Sequence, residues 1–203
     1  MKDEMDILRE VGCIAAAHGS IALSELLGRA IKLNMPSLDF IPGEIILKRV
    51  SQDQIVIGVY GHILSGLKGN VLFILDEKSA FKLVDLCYKI KSEDKKSGVL
   101  TEIGLSVIKE VGNVVIASYI GALSIILKIL IIPSIPTLTS GPLQQIMNMA
   151  ISKYYADEYI LLVEAVFEEP HEKIVGSFYL ILNPEATKYI QETCKKYLNK
   201  EQG

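Results

Sequence analysis

Glu110-Val111-Gly112-Asn113, followed by Ala122-Leu123-Ser124 and then Pro136, repeats a stretch met one hundred residues earlier: Glu10-Val11-Gly12-Cys13, Ala22-Leu23-Ser24 and Pro36. Aligned without gaps, residues 1–38 and 101–138 share eleven identities, where chance would give about two or three; self-similarity at a fixed period is the mark of a duplicated unit. The likeness resumes at an offset of 107, where Gly69–Cys87 matches Gly176–Cys194, Leu75 falls on Leu182 and Asp76 on Asn183. The change of offset predicts an insertion in the second copy, around Ser140–Asp157.

Each copy reads in the same order. A long helix comes first, about 3–30 and 101–129, because Ile7, Val11, Ile14 and Ala15 recur at three-to-four spacing. Strands follow. Alternation and Val, Ile, Tyr and Phe content place them at Glu44–Val50, Gln54–His62 and Lys68–Leu75, then at Tyr159–Phe167 and Lys173–Leu182. A second helix closes each copy, about Glu77–Lys89 and Pro184–Leu198, with Pro184 suited to a first helical turn. Short turns at Gly66 and Pro170 favour hairpins and an antiparallel sheet. The expected fold is therefore α+β with a pseudo-twofold internal duplication, in one compact domain spanning 1–203. Copy one covers about 1–90, a charged link (Lys-Ser-Glu-Asp-Lys-Lys-Ser-Gly) about 91–98, and copy two about 99–200.

Composition narrows the function. Half of the 203 residues are hydrophobic and 22% are charged, as in a folded soluble domain. A net charge of −3 argues against a nucleic-acid partner, which calls for a basic face. The charged stretch Met1–Glu10 is unlike a secretory leader. The apolar run Ile120–Ile135 carries Lys128 and Pro133, so it is read as a buried helix end followed by a strand, not as a membrane span. Three cysteines without a CxxC pair suggest free thiols in a reducing cytoplasm. His18, His62 and His171 lack zinc-site spacing. No dinucleotide or Walker motif is present, and Lys68-Gly69-Asn70 is read as a strand start rather than a phosphate loop.

Ser106, Glu110 and Asn113 lie four and three residues apart, which puts them on one face of a helix. The first copy offers Asp6, Glu10 and Cys13 at the same places. Such a face is ordinarily just the wet side of a helix. Gly112 serves either close helix packing or the approach of a ligand, and Pro136 could simply begin a strand. The twin Ala-Leu-Ser segments are read as core and helix packing.

The pattern Ser/Asp-x3-Glu-x2-Asn, then 22 residues, then Pro resembles the signature of the CheC–CheX–FliY family of chemotaxis phosphatases. Here it reads Ser106, Glu110, Asn113, Pro136, and in its first copy Asp6, Glu10, Cys13, Pro36. Two copies without an added flagellar-switch domain are most similar to the CheC-type branch. The resemblance implies a CheC-like domain that removes the aspartyl phosphate from the response regulator CheY. The regulator would bring its own magnesium ion and active-site lysine, so this chain would need no cofactor. Glu110 would pair with that lysine, and Asn113 would orient the attacking water. The chemistry fits those roles. Phosphoryl transfer asks mainly for positioning. A neutral carboxamide both donates and accepts hydrogen bonds without repelling the phosphoryl group. Cys13 departs from the pattern, since a thiol is a weak partner at both ends, and the first site is expected to hydrolyse little. Alternatives are a non-catalytic module that binds a regulator or a CheD-like deamidase, and a structural protein of the flagellar switch.

Overall fold

The computed structural model describes residues 4–50, 54–88, 100–152 and 159–200. The link read at 91–98 lies outside them. In chain order the elements are α1 (Glu4–Leu27), β1 (Lys32–Pro42), α2 (Gly43–Arg49), β2 (Ile55–Ser65), β3 (Gly69–Asp76), α3 (Glu77–Tyr88), α4 (Glu102–Leu127), β4 (Ile132–Pro133), β5 (Thr137–Pro142), α5 (Leu143–Ser152), β6 (Tyr159–Glu169), β7 (Ile174–Leu182) and α6 (Pro184–Lys200). Apart from the short β4, the order α-β-α-β-β-α occurs twice.

All strand pairs are antiparallel, and the sheet runs β1-β6-β7-β3-β2, with β5 and β4 both on the outer side of β2. Exchanging the two copies reverses this order onto itself. At its centre Leu72 of β3 pairs with Tyr179 of β7, its own counterpart at the offset of 107, so the pseudo-twofold axis passes through that pair. Each outer strand pairs with the other copy: β1 with β6, and β5 with β2. Register also divides the insertion. Val59 pairs with Phe73 and Val163 with Leu180, so β2 and β6 are offset by 104 while β3 and β7 are offset by 107. The second copy thus gains four residues between Pro142 and β6, and three more in the β6–β7 turn.

The sheet is covered on both faces, which is why its central strands are nearly continuous apolar runs. The larger core lies under α1, α3, α4 and α6 and includes Ala15, Leu23, Ile108, Val115, Phe73 and Phe178. Tyr119 of α4 stacks on Phe178, ring centroids 4.2 Å apart. The smaller core lies under α2 and α5 and includes Ile46, Met147, Ile151, Leu72 and Tyr179. Here Asn70 is buried and hydrogen-bonded at both ends of its amide: its Nδ2 donates to the Ala150 carbonyl (2.6 Å), and its Oδ1 accepts from the Tyr60 hydroxyl (3.1 Å) and from His62 Nδ1 (2.7 Å). The amide's orientation puts the proton on His62 Nδ1, since Oδ1 is an acceptor only.

Glu44–Val50, read above as a strand, is helix α2. Its Ile and Leu content suggested a strand. Glu44 in the first turn and Lys48 and Arg49 in the last favour a helix instead, and Glu44 and Lys48 make an i,i+4 pair at 3.7 Å. Strand β1 has no counterpart among the expected strands, because Asn34, Pro36, Ser37 and Asp39 break its alternation and its partner lies in the other copy. Pro36 sits buried where its register slips between Asn34 and Ser37, a place where an edge strand tolerates proline. The apolar run does end a buried helix and then enter a strand, at Leu127 and Ile132. By length and composition alone α1 and α4 could each cross a membrane; in the fold they form one packed layer on the sheet.

The repeated Ala-Leu-Ser segments also find their reason. Leu23 and Leu123 are core residues. Ser24 Oγ donates to the Arg29 carbonyl (2.5 Å), Ser124 Oγ donates to the Ile129 carbonyl, and each hydroxyl thereby ties down the turn after its helix. The turn residue is left-handed in both copies, Gly28 with φ 60° and Lys128 with φ 53°.

Candidate functional site on helix α4

Helix α4 is started by Thr101, whose Oγ1 accepts from the Gly104 N–H at 3.1 Å. Gly104, Ile108, Val111, Gly112, Val115, Ile116, Tyr119, Ile120 and Leu123 are buried at helical spacing. Burying that side leaves the opposite one in water. Ser106, Lys109, Glu110, Asn113, Ala117 and Gly121 are all exposed. Glu110 and Asn113 therefore project from one surface, about one turn apart.

Gly112 faces inward. A Cβ there would lie 2.3 Å from Val59 Cγ2 and 3.3 Å from Phe73 Cδ1, so the glycine lets α4 sit directly on β2 and β3. Of the two uses left open for Gly112, the structure assigns close packing. Ser106 Oγ donates back to the Glu102 carbonyl at 3.0 Å, a bond internal to the helix. Pro136 is buried between β4 and β5 and belongs to the sheet edge, not to the exposed stripe. Its neighbours are laced to β2: Ser134 N–H donates to the His62 carbonyl (2.7 Å), and Thr137 Oγ1 to the Tyr60 carbonyl (3.3 Å).

The first copy keeps the geometry and changes the chemistry. Asp6 and Glu10 are exposed on α1, and Asp6 is bridged to Arg9 at 3.2 Å. Gly12 packs over Val163, the counterpart of Val59, at 3.5 Å for an added Cβ. Cys13 is only half-exposed, unlike Asn113. It neighbours Tyr119, whose phenol is held above its ordinary range by burial and, second, by Cys13. The residue equivalent to Tyr119 in the first copy is Gly19, so the two helices do not cover each other's motif position alike.

A duplicated helix–strand–helix–hairpin–helix unit closed about a pseudo-dyad is a fold with known members. The chain has the fold of the CheC–CheX–FliY family, and its resemblance to CheC extends over nearly its whole length. No family model matches the sequence. Among curated proteins it is similar to the CheY-P phosphatase CheC of Bacillus subtilis (strain 168), 24% identical over 191 residues, covering 89% of this chain and 88% of that protein. Among solved structures it resembles Thermotoga maritima FliY, with a TM-score of 0.74 and 25% identity, covering 97% and 98% of the two chains. The FliM middle domain of H. pylori shares the fold at a TM-score of 0.65 and 12% identity, covering 95% and 99%.

Proposed function

We propose that the chain is a cytoplasmic protein-aspartyl-phosphate phosphatase acting on phosphorylated CheY, with one working site at Glu110 and Asn113. The observation that carries this reading is the exposure of both side chains on the outer face of α4 while Gly112 between them is buried. That face lies open for a globular substrate to cover.

Glu110 docks the helix by a charge-assisted hydrogen bond to the regulator's active-site lysine. Asn113 enters the phosphorylated pocket. Its carboxamide oxygen accepts from a water and turns that water's lone pair toward phosphorus, while its NH2 donates to a phosphoryl oxygen. A magnesium ion held by the regulator would supply neutralisation of the charge on the transferred group; this chain's own part is to place Glu110 and Asn113. No nucleophile of this chain is required, because the acyl phosphate is already labile and the missing element is an aligned water. Ser106, Gly112 and Pro136 support the site indirectly, by helix and sheet packing. At the first site the half-exposed thiol of Cys13 cannot make the two-ended contact, although Glu10 keeps a docking carboxylate.

Phosphate release from phosphorylated CheY, followed with substoichiometric protein, tests the proposal. Turnover is expected, is abolished in Asn113→Ala, and is nearly unchanged in Cys13→Ala. Binding of the regulator without acceleration would refute catalysis. That result would favour a binding module, either switch-associated, a reading supported by the shared fold of FliM, or one that engages a CheD-like deamidase.

A further inference from the structure

Most glycines with a constrained place in this fold declare their reason. Gly112 and Gly176 admit close neighbours, and Gly28 and Gly66 have positive φ. Gly121 has neither. It lies inside α4, its φ is ordinary, and a Cβ there would meet nothing within 4 Å. An interior helical glycine costs stability relative to alanine, so packing and backbone geometry do not ask for it. The first copy, with the same helix in the same layer, carries Ile21 at this position, 56% exposed.

Position 121 belongs to the surface of the candidate site. It follows Glu110 by eleven residues, which is three turns with a rotation of only about 20°, and lies about 12 Å along the axis from Asn113. A protein partner of ordinary footprint covers about 800 Å² of each surface, a patch of roughly 16 Å radius. A partner centred on Asn113 therefore lies over residue 121. At 110, 117 and 121 the two copies carry Glu and Glu, Ala and Ala, then Ile and Gly. Among these three positions bulk differs only at the last; beside them the exposed His18 and the half-exposed Ser118 differ as well.

We propose that residue 121 is a specificity-determining position: Gly121 lets a phosphorylated regulator close onto Asn113, whereas Ile21 holds a partner off the first face. This rests on the phosphatase reading above. A branched side chain standing up between the surfaces lifts the partner away from the carboxamide, and a misplacement of about 1 Å at a positioning site can cost roughly 100-fold in rate.

The test uses the full chain with phosphorylated CheY from the same cell for turnover, and beryllofluoride-activated CheY for binding. Gly121→Ala should keep kcat/KM within about threefold, because a methyl group has free space there. Gly121→Ile should lower kcat/KM by roughly 10- to 100-fold, with a urea midpoint no lower than wild type. Gly121→Gln, of similar reach and better helix propensity, should do the same and guards against misfolding of the isoleucine variant. Full turnover by Gly121→Ile or Gly121→Gln overturns the inference and leaves the phosphatase reading intact. If the wild type binds without turnover, the phosphatase reading fails, and the steric inference is then decided by affinity: weaker binding by the bulky variants supports it, equal binding overturns it. Absence of both turnover and binding refutes both.

Discussion

Gly112→Ala and Gly12→Ala make the same change at equivalent places and should have opposite effects. At position 112 the new methyl would stand 2.3 Å from Val59 Cγ2, against an ordinary carbon–carbon contact of about 3.5–4.0 Å. Val59 is fully buried in β2 and, being β-branched, is stiff about χ1. Helix α4 must therefore shift by about 1 Å, or the side chain must leave its rotamer. Overpacking of this kind costs about 1–3 kcal/mol, and sometimes more. Alanine's better helix propensity returns roughly 0.8–1.0 kcal/mol. The net loss expected is up to about 2 kcal/mol, or several degrees in Tm for a chain of this size. At position 12 the nearest atoms, Val163 Cγ1 and Leu38 Cδ1, would lie at 3.5 and 3.6 Å. The propensity gain then stands almost alone, and Gly12→Ala should be neutral or stabilising by up to about 1 kcal/mol. Urea unfolding of both variants measures the difference, and phosphate release should fall only for Gly112→Ala, whose helix carries Asn113. A Gly112→Ala protein as stable as Gly12→Ala would refute the packing argument.

Asn70→Ala should destabilise by about 1–3 kcal/mol, because it removes the buried hydrogen bonds that Asn70 makes to the Tyr60 hydroxyl, His62 and the Ala150 carbonyl in the smaller core; calorimetry checks this. Stability should also fall with alkalinity. Burial, with Cys13 beside Tyr119 and with the Glu164 charge and hydrogen bond beside Tyr179, raises both phenol pKa values above their unfolded value. Above about pH 10 the unfolded chain therefore releases protons that the folded chain retains, and stability declines. Tyr179→Phe should flatten the decline above about pH 10, and an unchanged slope would contradict the assignment.

Much of this architecture was written in the repeat itself. The offset of 100 marked α1 and α4 as equivalent, and the offset of 107 marked β3 and β7, which proved to meet across the pseudo-dyad. Of the outer strands, β5 shows in the sequence only as a strand that Pro136 could begin, and β1 not at all, because both find their partners in the opposite copy and local alternation carries no sign of that. Helix α2 was mistaken for a strand because seven residues are too few for periodicity to separate the two, so that only end charges could have decided. At the site, spacing alone placed Ser106, Glu110 and Asn113 on one face, and all three are exposed. The inward packing of Gly112 depends on Val59, fifty-three residues away, and could not be read locally. Gly121 carries no signal in the sequence because its significance lies in what does not surround it.

The exchange of outer strands has a bearing on history. A single-copy forebear with this topology would have left the far edge of its hairpin bare unless a twin supplied the missing strand, so it would have lived as an interlocked pair with two identical faces. Joining the twins into one polypeptide kept that embrace while freeing each face to mutate alone. One face could then carry Cys13 while the other kept Asn113, a difference that no symmetric homodimer can hold.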